Sequence, residues 1–272
     1  MEALDWIRTA HGEVCTQGGH VVRWRRGGAE LLFVSRKSRF EPGQPIRGGV
    51  PVVFPWFGDD PEGRGRVAHG FARRVPWRVL ASTSDAQATR VTLELVDDAG
   101  TRELWPQRFA LRLEAELGDA LALALTVENR SEAPFTCETA LHTYLAVGDV
   151  RRCTLHGLEG AAYLDKLDGL RQKRAGPGPL TFAGEVDRTF LGTSAACRVE
   201  DPQLGRTLVV SKEGSRSTVV WNPWSAKAAR LADMGDDEWS GMLCVESGNV
   251  GADALQLAPG AKHVMRVRIA VR

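Results

Sequence analysis

The chain lacks the signatures of the commonest kinds of chemistry. Its five cysteines, at 15, 137, 153, 197 and 244, are odd in number and never fall at C-x-x-C spacing. That pattern argues against a disulfide framework or a zinc ribbon, and the cysteines read as reduced packing residues of a cytoplasmic protein. No apolar run approaches the roughly 18 residues of a membrane-spanning helix, so no membrane partner is expected. The opening stretch MEALDWIRTAHGEV has no apolar centre, and no signal peptide is expected. Charge of one sign is missing too: 35 lysines and arginines face 34 acids, for a net charge of +1. Such a balance does not suggest a basic surface for nucleic acid. G-x-G-x-x-G, the P-loop and the G-x-S-x-G elbow are absent, which removes the usual cradles for dinucleotides and ATP and a familiar serine nucleophile. The six histidines, at 11, 20, 69, 142, 156 and 263, form no H-x-H or H-E-x-x-H pair. Neither a metal nor another cofactor is expected.

What the chain does have is alternation. AELLFVS (29–35), TRVTLELV (89–96), FALRLEAEL (109–117), ALALALTVEN (120–129) and HVMRVRIAV (263–271) alternate apolar and polar residues in whole or part. That period suits strands with one buried face. Turn residues separate them, and the march over 109–147 predicts an antiparallel meander. Helical signals are scarce. SAKAARLADM (225–234) predicts two or three turns, and GLRQKRAGPGPL (169–180) reads as an exposed basic loop. No repeat and no linker interrupts the pattern. The expected architecture is all-β: one large antiparallel β-sandwich domain over 1–272 with few short helices.

Four segments break the strand background. They are PIRGGVPVVFPWFG (45–58), HGFARRVPW (69–77), ETALHTYLAVGDV (138–150) and VVWNPWSAKAARLADMGDDEWSGMLCVESGNV (219–250). Each sets a titratable or cationic residue inside an apolar stretch. Read as one strand, 138–147 puts Glu138, Ala140, His142, Tyr144 and Ala146 on one face, with Leu141, Thr143, Leu145 and Val147 on a core face. His142 then lies on a small, polar face that suits the floor of a cleft, or it is simply a histidine satisfied by a carbonyl. In GMLCVESGNV, Leu243 and Val245 share one face, while Met242, Cys244 and Glu246 share the other. Partial burial would raise the Glu246 pKa toward that of a useful base; equally, the carboxylate could cap the next turn. Arg47 and Arg73 offer forks of donors suited to phosphate or carboxylate, or else make structural ion pairs. The glycines at 48 and 49 would let backbone N–H groups approach an anion. Phe54, Trp56, Phe57, Trp221 and Trp224 could stack on a sugar, but core packing is the favoured reading for most of them.

Taken together, the strings IRGG-P, HGFAR, LHTY, VDR, WNPW--KA and CVESGNV, in that order, resemble the glucose-6-phosphate 1-epimerases (hexose-6-phosphate mutarotases) of the aldose 1-epimerase superfamily. The resemblance implies the many-stranded sandwich of galactose mutarotase-like proteins. It implies that His142 and Glu246 are the catalytic pair. Arg47, Arg73 and Asp187 match substrate-binding positions, and His69 is a further candidate for holding sugar hydroxyls. One departure is visible: Ala68 stands directly before HGFAR, where family members often carry a glutamine that contacts substrate.

The implied reaction is exchange of the α and β anomers of a hexose 6-phosphate, with Glu246 as base and His142 as acid. A nearby carboxylate is expected to raise the histidine's pKa. Competing readings are an aldose 1-epimerase for free sugars, a silent sugar-phosphate binding module, and a glycosidase drawing on Glu138 or Asp187 as second carboxylate. A monomer or weak dimer is expected.

Overall fold

The computed structural model describes residues 4–272. Two large antiparallel sheets dominate it, as the alternation predicted. Nine strands form the first, ordered Leu180–Thr181, Thr154–His156, Cys197–Asp201, Arg206–Glu213, Lys262–Val271, Ala120–Asn129, Phe109–Leu117, Thr89–Val96 and Arg78–Ser84. The second has eight strands. Its main order is Arg171–Arg174, Ala162–Asp165, Val186–Phe190, Ser217–Asn222, Met242–Asn249, Thr139–Leu141 and Val52–Val53, and Tyr144–Ala146 also pairs with Met242–Asn249. Leucines 111, 113, 121, 123 and 125 of the first sheet and Leu141, Leu145, Val220, Leu243 and Val245 of the second belong to one buried cluster. That shared core makes the pair a sandwich.

A second apolar cluster lies on the opposite face of the eight-stranded sheet. Tyr144, Trp221, Met242 and Cys244 pack there against Ala228 and Met234. The strand Met242–Asn249 is therefore buried on both faces, and each of its residues is buried. Its alternation is the one expected: Leu243 and Val245 face the sandwich core, and Met242 and Cys244 face away.

Several local expectations are corrected. The segment 29–35 is a strand only at Ala29–Glu30. Beyond it, Leu31, Phe33 and Ser35 donate to Trp24, Tyr144 and Arg47 carbonyls in turn, so the chain has three neighbours and no ladder. The meander ends at Asn129: Phe135–Cys137 pairs with Leu255–Leu257, and the chain then crosses to the other sheet. The basic loop over 169–180 contains the strand Arg171–Arg174, at the sheet edge, where arginine and lysine discourage further pairing. The helix over 225–234 spans only Trp224–Ala228; Arg230, Leu231 and Met234 donate three residues back, which makes successive turns.

All five cysteines are free and buried. Among the described residues, no helix is long and apolar enough to cross a membrane.

Candidate active site

The pairing register of the eight-stranded sheet brings His142 to Glu246. Thr139–Leu141 runs antiparallel to Met242–Asn249 with Leu141 opposite Ser247, and Tyr144–Ala146 continues with Tyr144 opposite Cys244. Both ladders keep one offset, so His142 falls opposite Glu246. The expected single strand over 138–147 is broken there: the His142 N–H still donates to Pro51 O, at 2.9 Å, in register with Val52–Val53, but the Thr143 N–H turns back to Leu141 O, at 3.0 Å, instead of crossing to Met242–Asn249. The register survives the break. His142 Nε2 lies 3.3 Å from Glu246 Oε1, and both side chains are buried. The His142 ring stacks on Tyr144 at 4.7 Å between centroids, which keeps the two on one face.

The same face extends sideways. Asp187 lies opposite Trp221, Trp221 opposite Cys244, and Cys244 opposite Tyr144. One row across the sheet therefore carries Asp187 toward the pair. Lys227 Nζ stands 3.8 Å from the Asp187 carboxylate.

The arginines come from segments bordering this row. Arg47 donates through Nη1 to the Tyr144 hydroxyl and through Nη2 to Asp233, both at 3.1 Å. Arg73 is the less satisfied of the two. Its Nη2 donates to Ala68 O at 2.9 Å, and it makes no ion pair among the described residues. Burial lowers the Arg73 pKa to about 10, with repulsion from Arg47 adding to the effect and the Tyr144 hydroxyl opposing it. Burial opposes the Arg47 charge as well, but Tyr144 and Asp233 outweigh it and hold its pKa above the ordinary value.

The role expected of Gly49 is corrected, and Gly48 beside it is closely packed. A Cβ at Gly49 would lie 2.5 Å from Val21 O, and one at Gly48 would strike Phe33 O. The Gly49 N–H donates to Phe33 O. Close chain packing, rather than a free amide for an anion, explains that glycine.

His69 adopts φ of 63°, uncommon for a side chain with a Cβ. Its N–H donates to Gly58 O at 2.7 Å, and its Nδ1 accepts from the Gly58 N–H at 3.3 Å. The neutral ring therefore carries its proton on Nε2. Its ring meets His142 edge to face at 5.6 Å.

Burial sets the electrostatics of the pair. It pushes Glu246 well above the usual carboxylate range, and the Asp187 charge adds to this while Lys166 and Arg73 oppose. It pushes His142 well below the usual histidine value, and His69, Arg73 and Arg47 add to that. The raised histidine expected from the sequence is thus corrected. Three neighbouring cationic or ionisable side chains, together with burial, outweigh one carboxylate that is itself reluctant to ionise. Asp187 is raised by burial, with Lys166 and Lys227 opposing.

Polar satisfaction sets this region apart. Eight buried side-chain nitrogens or oxygens lack any hydrogen-bond partner among the described residues, and four of them are Arg47 Nε, Arg73 Nε, His142 Nδ1 and Glu246 Oε2. Such atoms are rare in folded proteins, and a cluster of them calls for a missing partner. Glu138 shows the contrast. Its carboxylate accepts from the Phe57 N–H at 2.7 Å and the Gly251 N–H at 2.6 Å, so it staples two chain segments. Phe54 and Trp56 sit in the main core and Trp221 in the smaller cluster, as favoured. Phe57 instead packs edge-on to His69 at 4.8 Å.

Sequence reasoning missed Lys166, Asp233 and Cys244. Lys166 and Asp233 belong to none of the short strings that carried the resemblance. Cys244 lies within CVESGNV, but packing was the reading given to it.

Comparison with known proteins gives the family. A family model described as aldose 1-epimerase matches residues 8–270. A protein of Escherichia coli (strain K12) named for glucose-6-phosphate 1-epimerase is 33% identical over 91% of this chain and 84% of its own. One of Cenchrus ciliaris with the same name is 35% identical over 98% of this chain and 83% of its own. The crystal structure of the mutarotase YeaD from Salmonella typhimurium superposes with a TM-score of 0.91 at 30% identity, covering all of this chain and 91% of that one. With the fold, the motifs and these relatives in agreement, the chain belongs to the aldose 1-epimerase family and is an isomerase of the mutarotase kind.

Proposed function

We propose that the protein interconverts the α and β anomers of a hexose 6-phosphate, glucose 6-phosphate being the leading candidate. The observation that carries this reading is the set of four unpartnered polar atoms on Arg47, Arg73, His142 and Glu246. Two cations lacking part of their hydrogen bonding, beside an acid–base pair, suit one ligand with a phosphate at one end and a hemiacetal at the other. The names of the relatives point to the same substrate.

A hemiacetal carries its hydroxyl and its ring oxygen on one carbon. Two groups 3.3 Å apart, as Glu246 Oε1 and His142 Nε2 are, can serve two oxygens that close. Glu246 takes the proton of the C1 hydroxyl. His142 gives a proton to the ring oxygen as the C1–O5 bond breaks, leaving an open-chain aldehyde. Rotation about C1–C2 turns the other carbonyl face to the C5 hydroxyl, and the reverse transfers close the ring. General acid–base catalysis of this kind contributes roughly 10²–10⁴-fold.

After ring opening the proton sits on Glu246 and His142 is neutral. Burial favours that same distribution in the empty site, so contacts from the bound sugar phosphate must ionise Glu246 and protonate His142 before opening begins. Asp187 and the Nε2–H of His69 hold sugar hydroxyls.

Exchange spectroscopy tests the proposal. Chelator-treated protein should accelerate α/β exchange of glucose 6-phosphate well beyond that of glucose. Equal acceleration of both would favour a free-sugar epimerase. Binding without exchange would favour a silent sugar-phosphate module, and the spontaneous rate with neither would end the reading.

A further inference from the structure

Cys244 brings to the pair a donor that the proposed reaction does not use. Its Sγ, one ring nitrogen of His142 and one carboxylate oxygen of Glu246 all lie within 4.8 Å of one another. Cys244 is two residues from Glu246 on one strand and opposite Tyr144, itself two residues from His142, so the sheet register creates the trio. His142 Nε2 and Glu246 Oε1 form the 3.3 Å pair, and the second polar atom of each residue, Nδ1 and Oε2, is buried with no partner among the described residues. The set contains lone pairs that no protein donor uses.

We propose that His142, Cys244 and Glu246 bind a borderline-soft divalent ion, with zinc as the physiological type, and that occupancy switches the enzyme off. Thiolate, imidazole and carboxylate together are zinc donors, whereas magnesium and calcium take oxygen ligands. A tetrahedral zinc with bonds of about 2.0–2.3 Å needs donors roughly 3.3–3.8 Å apart. The His142–Glu246 separation of 3.3 Å already fits. Closing the trio needs a side-chain adjustment of about 1 Å or less by the third donor. A coordinated thiol gives up its proton. Zinc with one thiolate, one carboxylate and a neutral imidazole is then uncharged overall, so the nearby Arg47, Arg73 and Lys166 are no obstacle. The ion would occupy lone pairs needed for proton transfer and compete with sugar. The inhibition rests on the function proposed above; the binding does not.

Cobalt(II), which gives a charge-transfer band when thiolate coordinates it, separates the two. Titrating the purified protein without sugar should give that band at one equivalent. Cys244→Ala and Cys244→Ser should both abolish it while keeping the native circular dichroism. The four other cysteines remain in these variants as internal controls. No band in the wild type, or an undiminished band in both folded variants, would overturn the site. In parallel, zinc should inhibit anomer exchange by the wild type, a chelator should restore it, and Cys244→Ala should exchange normally with at least tenfold weaker zinc inhibition. Exchange insensitive to zinc would overturn the switch. A cobalt band in a protein that never exchanges anomers would keep the metal site and remove the proposed reaction instead.

Discussion

The two large sheets treat polar residues in opposite ways. On Phe109–Leu117 the charged residues Arg112, Glu114 and Glu116 stand exposed while Leu111, Leu113, Ala115 and Leu117 are buried. On Met242–Asn249 the polar residues Glu246, Ser247 and Asn249 are buried with everything else. Burial itself does not mark a site. Asn249 donates to Gly214 O and accepts from the Arg216 N–H. Asn222, in the WNPW string, donates to the Trp239 and Met242 carbonyls and accepts from the Trp224 N–H. Those two amides hold chain segments together. Glu246 differs because one oxygen has no partner among the described residues. A buried polar group with its bonds made is architecture; one left short is available to a ligand.

The deepest break in the comparison should come from the pair itself. Glu246→Gln and His142→Asn preserve shape and remove one proton carrier each. Either should lower turnover by at least roughly 10², with sugar-phosphate binding within a few-fold. Single-turnover exchange and a binding isotherm on each variant check this. Near-full turnover in either would remove that residue from the chemistry.

The arginines come next. Arg73→Ala removes a cation with no ion pair among the described residues, and Arg47→Ala one shared with Asp233. A hydrogen bond to a charged group is worth roughly 1.5–3 kcal/mol, so each variant should bind glucose 6-phosphate about tenfold or more weakly. Free glucose should be nearly unaffected. Calorimetry with both sugars decides, and equal losses would make the arginines structural.

How much was legible in advance follows the same division. The nine-stranded sheet's Phe109–Leu117, Ala120–Asn129 and Lys262–Val271 could be read from alternation because one face meets water. Across the sandwich, Leu243 and Val245 were separable from Met242, Cys244 and Glu246, yet both faces are buried. Only tertiary packing shows what covers the second. His142 and Glu246 were legible as residue types inside apolar runs and through the family strings. Their opposition was not, because strand register between segments a hundred residues apart depends on the whole sheet. The lowered histidine escaped for a related reason: Arg47, Arg73 and His69 reach it from other segments. Lys166 and Asp233 carried no local signal.

A smaller effect concerns stability. Glu246 has a folded-state pKa above its unfolded value of about 4.3. Between those values the folded protein holds a proton that the unfolded chain has lost, so the group's contribution to stability falls as pH rises through that window. Each unit of difference is about 1.4 kcal/mol. His142 acts from the other side. Its folded pKa lies below about 6.5, so stability falls as pH drops and the unfolded chain takes a proton the folded one refuses. Glu246→Gln removes the first effect only. Urea melts should show this variant gaining stability relative to wild type from pH 5 to pH 8. A constant difference over that interval would show that Glu246 is ionised in the empty site, as it is in the unfolded chain. Function would then be harder to separate from architecture on this strand.

The smallest effect belongs on the other sheet. Arg90 donates to Glu116 at 3.0 Å and to Asp85 at 3.1 Å, with side chains 49%, 50% and 49% exposed. Water screens charges so placed, and ordering long side chains offsets much of what attraction remains. Arg90→Ala should leave the urea midpoint and the anomer-exchange rate within experimental error of wild type, at low salt and at high. Its neighbours on that face, Thr92, Glu114 and Ala122, continue the same solvent-facing side of the alternation, so no buried partner is left unpaired. This variant is the counterweight to His142→Asn. Both remove a basic side chain from a β-sandwich strand or its continuation, but only the histidine is buried beside an acid that lacks a full set of partners. Should Arg90→Ala reduce exchange as deeply as His142→Asn, satisfaction of polar atoms would no longer distinguish the two sheets, and the reacting groups would have to be sought on the nine-stranded face.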